Sequence, residues 1–234
     1  MVMSAPEPHA RSDSVVRSAR GYARGSDAAG VIAVVALVLY AMLTALVVAG
    51  ATLDLDTSLM LSLGAERRPW LSPFMYLASL VGGGRVAIPT ALCFVWLLWR
   101  RRRREDARAY AIIALSGWAL YGLAKLSIAR ARPHVIPYLY HGSGWYSYPS
   151  GHSTLAPIVF GLAAVLWSDP WKSRARRRAL VVAASGLAVA IAVSRVYIGV
   201  HYPTDVAGGL LLGIAWSSFW YWWWGTTIAG EPVA

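Results

Sequence analysis

The chain has 234 residues, 57% of them hydrophobic, a net charge of +11 and one cysteine, and its mean hydropathy is +0.49. That composition excludes an ordinary soluble domain, and the lone cysteine excludes an internal disulfide or a thiolate metal centre of the chain's own. The positive charge would suit nucleic acid, so it is first tested against the rule that loops rich in Lys and Arg stay cytoplasmic.

Residues 1–29 are polar, of mixed charge and rich in Ser, Ala and Gly, which predicts a disordered cytoplasmic tail. Six apolar stretches follow, each close to the ~20 residues that a bilayer-spanning helix needs: about 30–52, 84–100, 108–129, 152–169, 178–197 and 203–224. The expected fold class is all-α, a polytopic membrane helix bundle with six transmembrane helices over residues 30–226, closed by a short tail at 227–234. Between the first two stretches the chain starts too polar to span, at Asp54 and Asp56. It continues as an amphipathic run from Trp70 to Leu80, bounded by Pro69 and by Gly82 to Gly84, which predicts an interfacial non-spanning helix. Cys93, inside the second stretch, reads as a packing residue.

Six spans put both termini on one side of the membrane. Arg11, Arg17, Arg20 and Arg24, the run Arg100 to Arg104 with Arg108, and Lys172 with Arg174 and Arg176 to Arg178 all fall on that side. The bias makes it cytoplasmic and explains most of the positive charge without nucleic acid. The expectation is a multi-pass protein of a bacterial-type inner (cell) membrane, with cytoplasmic termini. Lys125, Arg130, Arg132 and Arg195 fall at or near helix ends, where ionisable groups are costly and count as functional candidates. In the last stretch, Trp216, Trp220 and Trp222 to Trp224 match an interfacial aromatic belt. Gly209 and Gly213 form a small-xxx-small pair for close helix packing.

Three segments converge on the outer face. In KLSIARARP, Lys125 and Arg132 share a helix face if the helix persists to Pro133. In PSGH, Ser150, Gly151 and His152 open the fourth span, where unpaired backbone N–H groups attract anions. In SRVYIGVHYPTD, Arg195 ends the fifth span, and His201 precedes Asp205 in the first turn of the sixth. Each element alone has an ordinary explanation as an interfacial anchor or a capping carboxylate. Together they make three cations, two histidines and a carboxylate on one face, a set suited to a tetrahedral phosphate. Spacing alone does not say which histidine would attack.

These segments, K-x6-RP from Lys125 to Pro133, PSGH from Pro149 to His152 and SR-x5-H-x3-D from Ser194 to Asp205, resemble the three-part signature of the type 2 phosphatidic acid phosphatase superfamily, PAP2. The resemblance implies a membrane phosphatase in which His201 attacks phosphorus, Asp205 orients its imidazole, and His152 is the general acid and then the base for water. Lys125, Arg132, Ser150, Gly151 and Arg195 would bind the phosphoryl oxygens. Neither a cofactor nor a metal is needed for that chemistry, and Asp54, Asp56 and Glu66 lack metal-ligand spacing. Arg130 lies outside the signature and is expected to be an interfacial residue. Tyr138, Tyr140, His141, Trp145, Tyr146 and Tyr148 surround the expected mouth.

A site at helix ends can take a phosphate headgroup while the lipid chain stays in the bilayer, so a lipid phosphate or diphosphate is the expected substrate. Undecaprenyl diphosphate fits an outward-facing site, and phosphatidic acid, phosphatidylglycerol phosphate and lipid A phosphates are alternatives. A lipid phosphotransferase is the rival among enzymes. The rival of another class is an anion or lipid-phosphate binding or transport protein. Besides substrate and membrane lipids no partner is expected, nucleic acid included, and the oligomeric state stays open.

Overall fold

The computed structural model describes residues 8–140, 144–168 and 173–230, and among them every regular element is helical. In chain order these are α1 (Pro8–Val48), α2 (Leu53–Ala65), α3 (Ser72–Gly82), α4 (Gly84–Arg100), α5 (Arg104–Ile128), α6 (Gly151–Ala156), α7 (Leu162–Ser168), α8 (Arg174–Ile198) and α9 (Pro203–Gly230). A π-helical turn, Pro157–Gly161, joins α6 to α7. Pro157 has no N–H for the carbonyl of Ser153, and the helix widens there.

By length and composition four segments can cross a membrane: Asp27–Val48, Arg104–Ile128, Gly151–Ser168 and Arg174–Ile198. Helices α3 and α4, bent by 50° at Gly83, make a fifth if the pair is one span. The stretch expected as a sixth span is the 28-residue helix α9, which is not among those four. Where one interfacial helix was expected, two short helices occur, α2 and α3; the polar start at Asp54 and Asp56 lies in the first turn of α2, where carboxylates suit the helix dipole. Helix α1 begins at Pro8, within the segment that composition predicts to be a disordered tail. Residues 1–7 and 231–234 lie outside the described residues, as do His141 and Lys172.

Burial is inverted relative to a soluble domain: Leu115, Leu126 and Val182 are among many large apolar side chains facing outward. Cys93 is also exposed on α4, not packed. The interior is built around Leu98, Tyr110, Ile113, Leu155 and Ile158, from α4, α5, α6 and the π turn. Tyr110 donates to the carbonyl of Val159 in that turn at 2.9 Å. A second cluster, with Met60, Ile136, Val196, Tyr202 and Val206, fastens α2 to the end of α8 and the start of α9.

The Gly209/Gly213 pair does what its spacing predicts. A Cβ at Gly209 would lie 2.6 Å from the Ser150 carbonyl oxygen, and one at Gly213 would lie 2.2 Å from that of Thr154. Only glycine lets α9 lie this close to α6, and that approach brings PSGH against the first turn of α9.

Candidate active site

Helix α5 ends earlier than its sequence suggests. Ala129 adopts a left-handed conformation (φ 50°), and its N–H donates to Lys125 O. Lys125 and Arg132 are therefore not two turns apart on one helix; Lys125 projects from the last turn and Arg132 from the irregular segment beyond. Lys125 Nζ donates to the carbonyls of Tyr146 (2.8 Å) and Ser147 (3.3 Å). Arg132 donates through Nε to Gly144 O and through Nη1 to Val200 O at 2.6 Å.

The start of α6 is tied to the start of α9 by a bond from Ser150 N–H to Asp205 O at 3.0 Å. Ser150 is fully buried. Its hydroxyl accepts from Ser153 Oγ at 3.1 Å, and its carbonyl accepts from Thr154 Oγ1 at 2.9 Å. Gly151 is pressed against the Tyr121 ring. The His152 ring lies against the α3–α4 bend: a Cβ at Gly82 would stand 3.3 Å from its Cδ2 and 2.3 Å from Ile191 Cγ2, so the glycine there leaves room for both.

His201 is almost wholly buried. Its Nδ1 lies 3.3 Å from Asp205 Oδ2, and its Nε2 lies 3.3 Å from Arg132 Nη1. A guanidinium can only donate, so Nε2 is the acceptor and the imidazole proton sits on Nδ1, directed at Asp205. Burial first, and then the charges of Arg132, Arg195 and Lys125, hold His201 well below the usual histidine range, so the ring is neutral. Arg195, buried, donates through Nη1 to Ser79 Oγ on α3, while its Nε has no partner among the described residues. All eight residues that the sequence singles out (Lys125, Arg132, Ser150, Gly151, His152, Arg195, His201 and Asp205) thus fall at the adjoining ends of α5, α6, α8 and α9.

Arg130 corrects the sequence reading. It is no interfacial anchor: its side chain is 13% exposed and pairs with Asp205 Oδ1 at 2.7 Å and with Asp56 Oδ2 at 2.8 Å. Burial works against its charge, but the two carboxylates outweigh that and raise its pKa above that of an ordinary arginine. The guanidinium also lies 4.1 Å from the Tyr202 ring centroid. On a continuous helix Arg130 and Arg132 would point apart; with the helix ended at Ile128, both reach the His201–Asp205 pair. Asp56, Thr204 and Ser79 were equally invisible, because no motif marks them. The only sequence signal was two acidic residues, Asp54 and Asp56, in a chain with few of them. Tyr148 is no mouth residue either: it is fully buried and its hydroxyl meets Thr44 of α1 at 2.8 Å. Trp145, in contrast, is 91% exposed.

Comparison with known proteins follows the same lines. Phosphatidylglycerophosphatase B of Bacillus subtilis is 30% identical over 150 residues, covering 63% of this chain and 72% of the relative. An undecaprenyl-diphosphatase of Sulfolobus acidocaldarius is 34% identical over 155 residues, covering 64% and 68%. The crystal structure of a transmembrane PAP2 type phosphatidylglycerolphosphate phosphatase from Bacillus subtilis superimposes with a TM-score of 0.77 at 25% identity, over 86% of this chain and 98% of that one. The model of the PAP2 superfamily matches residues 106–229, which hold Lys125, His152, His201 and Asp205. The chain belongs to the PAP2 superfamily and is similar to its membrane phosphatases.

Proposed function

We propose that this protein is a metal-independent lipid phosphatase of six spans that removes the terminal phosphate of a lipid phosphate or diphosphate through a phosphohistidine at His201. The observation that carries the reading is the setting of His201: a neutral ring with its proton on Nδ1 facing Asp205 and its lone pair on Nε2 facing the cation of Arg132. Simple anion binding needs no such nucleophile.

Phosphate transfer requires charge neutralisation on the equatorial oxygens, an in-line nucleophile and a proton for the leaving oxygen. Lys125, Arg132 and Arg195 neutralise the oxygens, and the unpartnered Nε of Arg195 supplies a donor for one of them. Ser150 Oγ, which accepts from Ser153, keeps its own proton to donate. Nε2 of His201 attacks phosphorus as the bond to the lipid oxygen breaks, and His152 gives that oxygen its proton. The positive charge that develops on His201 is stabilised by Asp205. His152 then takes a proton from water, the water oxygen attacks phosphorus, and the P–N bond returns its electrons to Nε2. Inorganic phosphate leaves.

The arginine clusters favour cytoplasmic termini and a site on the outer face. Undecaprenyl diphosphate is the preferred substrate, since recycling of a polyprenyl carrier suits that face and a relative bears the name undecaprenyl-diphosphatase. Phosphatidylglycerol phosphate, named for other relatives, phosphatidic acid and lipid A phosphates are the competing substrates. The test is phosphate release by purified protein from a panel of lipid mono- and diphosphates in detergent, with and without EDTA. Release from undecaprenyl diphosphate at the highest kcat/KM, unchanged by EDTA, is expected. Transfer of the phosphoryl group to a lipid or sugar hydroxyl without free phosphate would make the protein a phosphotransferase instead.

A further inference from the structure

Asp56 is a fully buried carboxylate on α2, outside the signature and outside the residues that the family model matches. Both of its oxygens are engaged. Oδ1 accepts from the N–H of Thr204 at 3.0 Å, and Oδ2 accepts from Thr204 Oγ1 at 2.6 Å and from Arg130 Nη2 at 2.8 Å. Arg130 Nη1 turns the other way, to Asp205 Oδ1 at 2.7 Å and Thr204 Oγ1 at 2.8 Å. Asp205 Oδ2 is left for the N–H of Tyr202 at 2.9 Å and for His201 Nδ1. The order is therefore Asp56, Arg130, Asp205, His201, with every carboxylate oxygen assigned.

A lone Arg130 against Asp205 would fix the carboxylate but cancel its charge. A neutralised Asp205 is a poor partner for the cation that forms when His201 is phosphorylated. Asp56 competes for the same guanidinium, so Asp56, Arg130 and Asp205 together keep one net negative charge beside the imidazole. Arginine suits this place because its planar fork donates in two directions at once, which an ammonium cannot reproduce. Loop 144–150 holds the arrangement from behind: Ser147 N–H donates to Arg130 O at 2.8 Å, and Ser147 Oγ donates to Ala131 O at 2.9 Å.

We infer that Arg130 and Asp56 are positioning residues for this phosphatase, holding Asp205 in the plane that faces His201 while leaving it the negative charge that its task requires. The inference rests on the proposal that His201 is the nucleophile. Both reach His201 only through Asp205, so their removal should slow the chemical step without weakening phosphate binding.

The experiment compares Asp56→Asn, Arg130→Lys and His201→Ala in purified, detergent-solubilised protein, with kcat and KM measured on undecaprenyl diphosphate and phosphatidylglycerol phosphate. Asp56→Asn keeps the size and, through its amide oxygen, the bond from Thr204 N–H, but removes the charge and the oxygen that accepts from Thr204 Oγ1 and Arg130 Nη2. Its kcat is expected to fall by about 10- to 100-fold, by analogy with the loss of an outer hydrogen-bond partner behind a metal-ligating imidazole, with KM within about twofold of wild type. Arg130→Lys should show the same split, and Arg130→Ala should regain kcat when guanidinium chloride is added at millimolar concentration. Wild-type kcat in Asp56→Asn and Arg130→Lys, with His201→Ala inactive, overturns the inference and leaves the nucleophile assignment standing. Turnover by His201→Ala overturns the assignment itself. If Asp56→Asn does not fold, Arg130→Lys, which keeps a cation between the carboxylates, decides on the same criterion.

Discussion

Arg132 Nη1 lies 3.3 Å from His201 Nε2, on the side of the ring opposite Asp205. The contact joins a residue from the segment after α5 to one between α8 and α9. It fixes the imidazole tautomer without any visible hydrogen, since the guanidinium has no lone pair to offer.

Rapid acid-free quenching of a reaction with substrate labelled in its terminal phosphate should therefore capture labelled protein, stable to alkali and labile to acid. His201→Ala should carry no label and lose turnover by at least about 1,000-fold. Asp205→Asn, which no longer favours the Nδ1–H tautomer, should label far more slowly, with kcat lower by up to about 10,000-fold, as in a triad whose carboxylate is made an amide.

Stability should depend on pH through the same ring. The folded value for His201 lies well below its unfolded value of about 6.5, so below that pH the unfolded chain binds the extra proton. The stabilisation is complete above about 6.5 and declines as pH falls towards the folded pKa. Thermal unfolding of wild type should show Tm dropping between pH 7 and pH 5, more steeply than in His201→Gln. Parallel curves for the two proteins would mean that the folded and unfolded rings titrate alike, so that burial does not lower the His201 pKa.

Ser79 offers a subtler test, because it holds Arg195 and has no place in the chemistry. Ser79→Ala removes one hydrogen bond to a charged group, worth about 1.5–3 kcal/mol. Its expected effect is a several-fold rise in KM for the lipid phosphate and a Tm lower by a few degrees, and inorganic phosphate should inhibit it less well than wild type.

Gly213→Ala tests how the site is assembled. The added methyl would sit 2.2 Å from a backbone oxygen of α6, which cannot swing aside as a side chain can. A loss of stability of about 1–3 kcal/mol is expected, read as a lower Tm. Activity should fall with it, because the displaced α6 carries His152.

Orientation is checked at Trp145, which is 91% exposed. With Cys93→Ser removing the native thiol, Trp145→Cys should react with a membrane-impermeant maleimide added outside intact cells. Labelling only after the membrane is opened would reverse the proposed topology.

The site was far more legible in the sequence than its support. Lys125, His152, Arg195, His201 and Asp205 are spaced by local rules, helix ends and first turns, and those rules survive translation into three dimensions. Arg130 was misjudged because one local event, the left-handed Ala129, ends a helix that the residue types alone would continue. Asp56 and Ser79 act across distances of 148 and 116 residues in sequence, and nothing local records such partners. The bend between α3 and α4 escaped for a related reason. Hydropathy measures length and apolarity, whereas the 50° bend between α3 and α4 is set by what the glycines at the bend must accommodate.

The way α2 and α3 lean on the site has a consequence for anyone seeking the smallest working form of this protein. A fragment cut to the matched region, residues 106–229, would keep His152 and His201 and the cations Lys125, Arg132 and Arg195. It would lose the carboxylate that shares Arg130 and the hydroxyl that steadies Arg195. On the proposed mechanism such a fragment would hold every reacting group and yet lack the parts that keep them in register, so the unit of function would begin no later than α2.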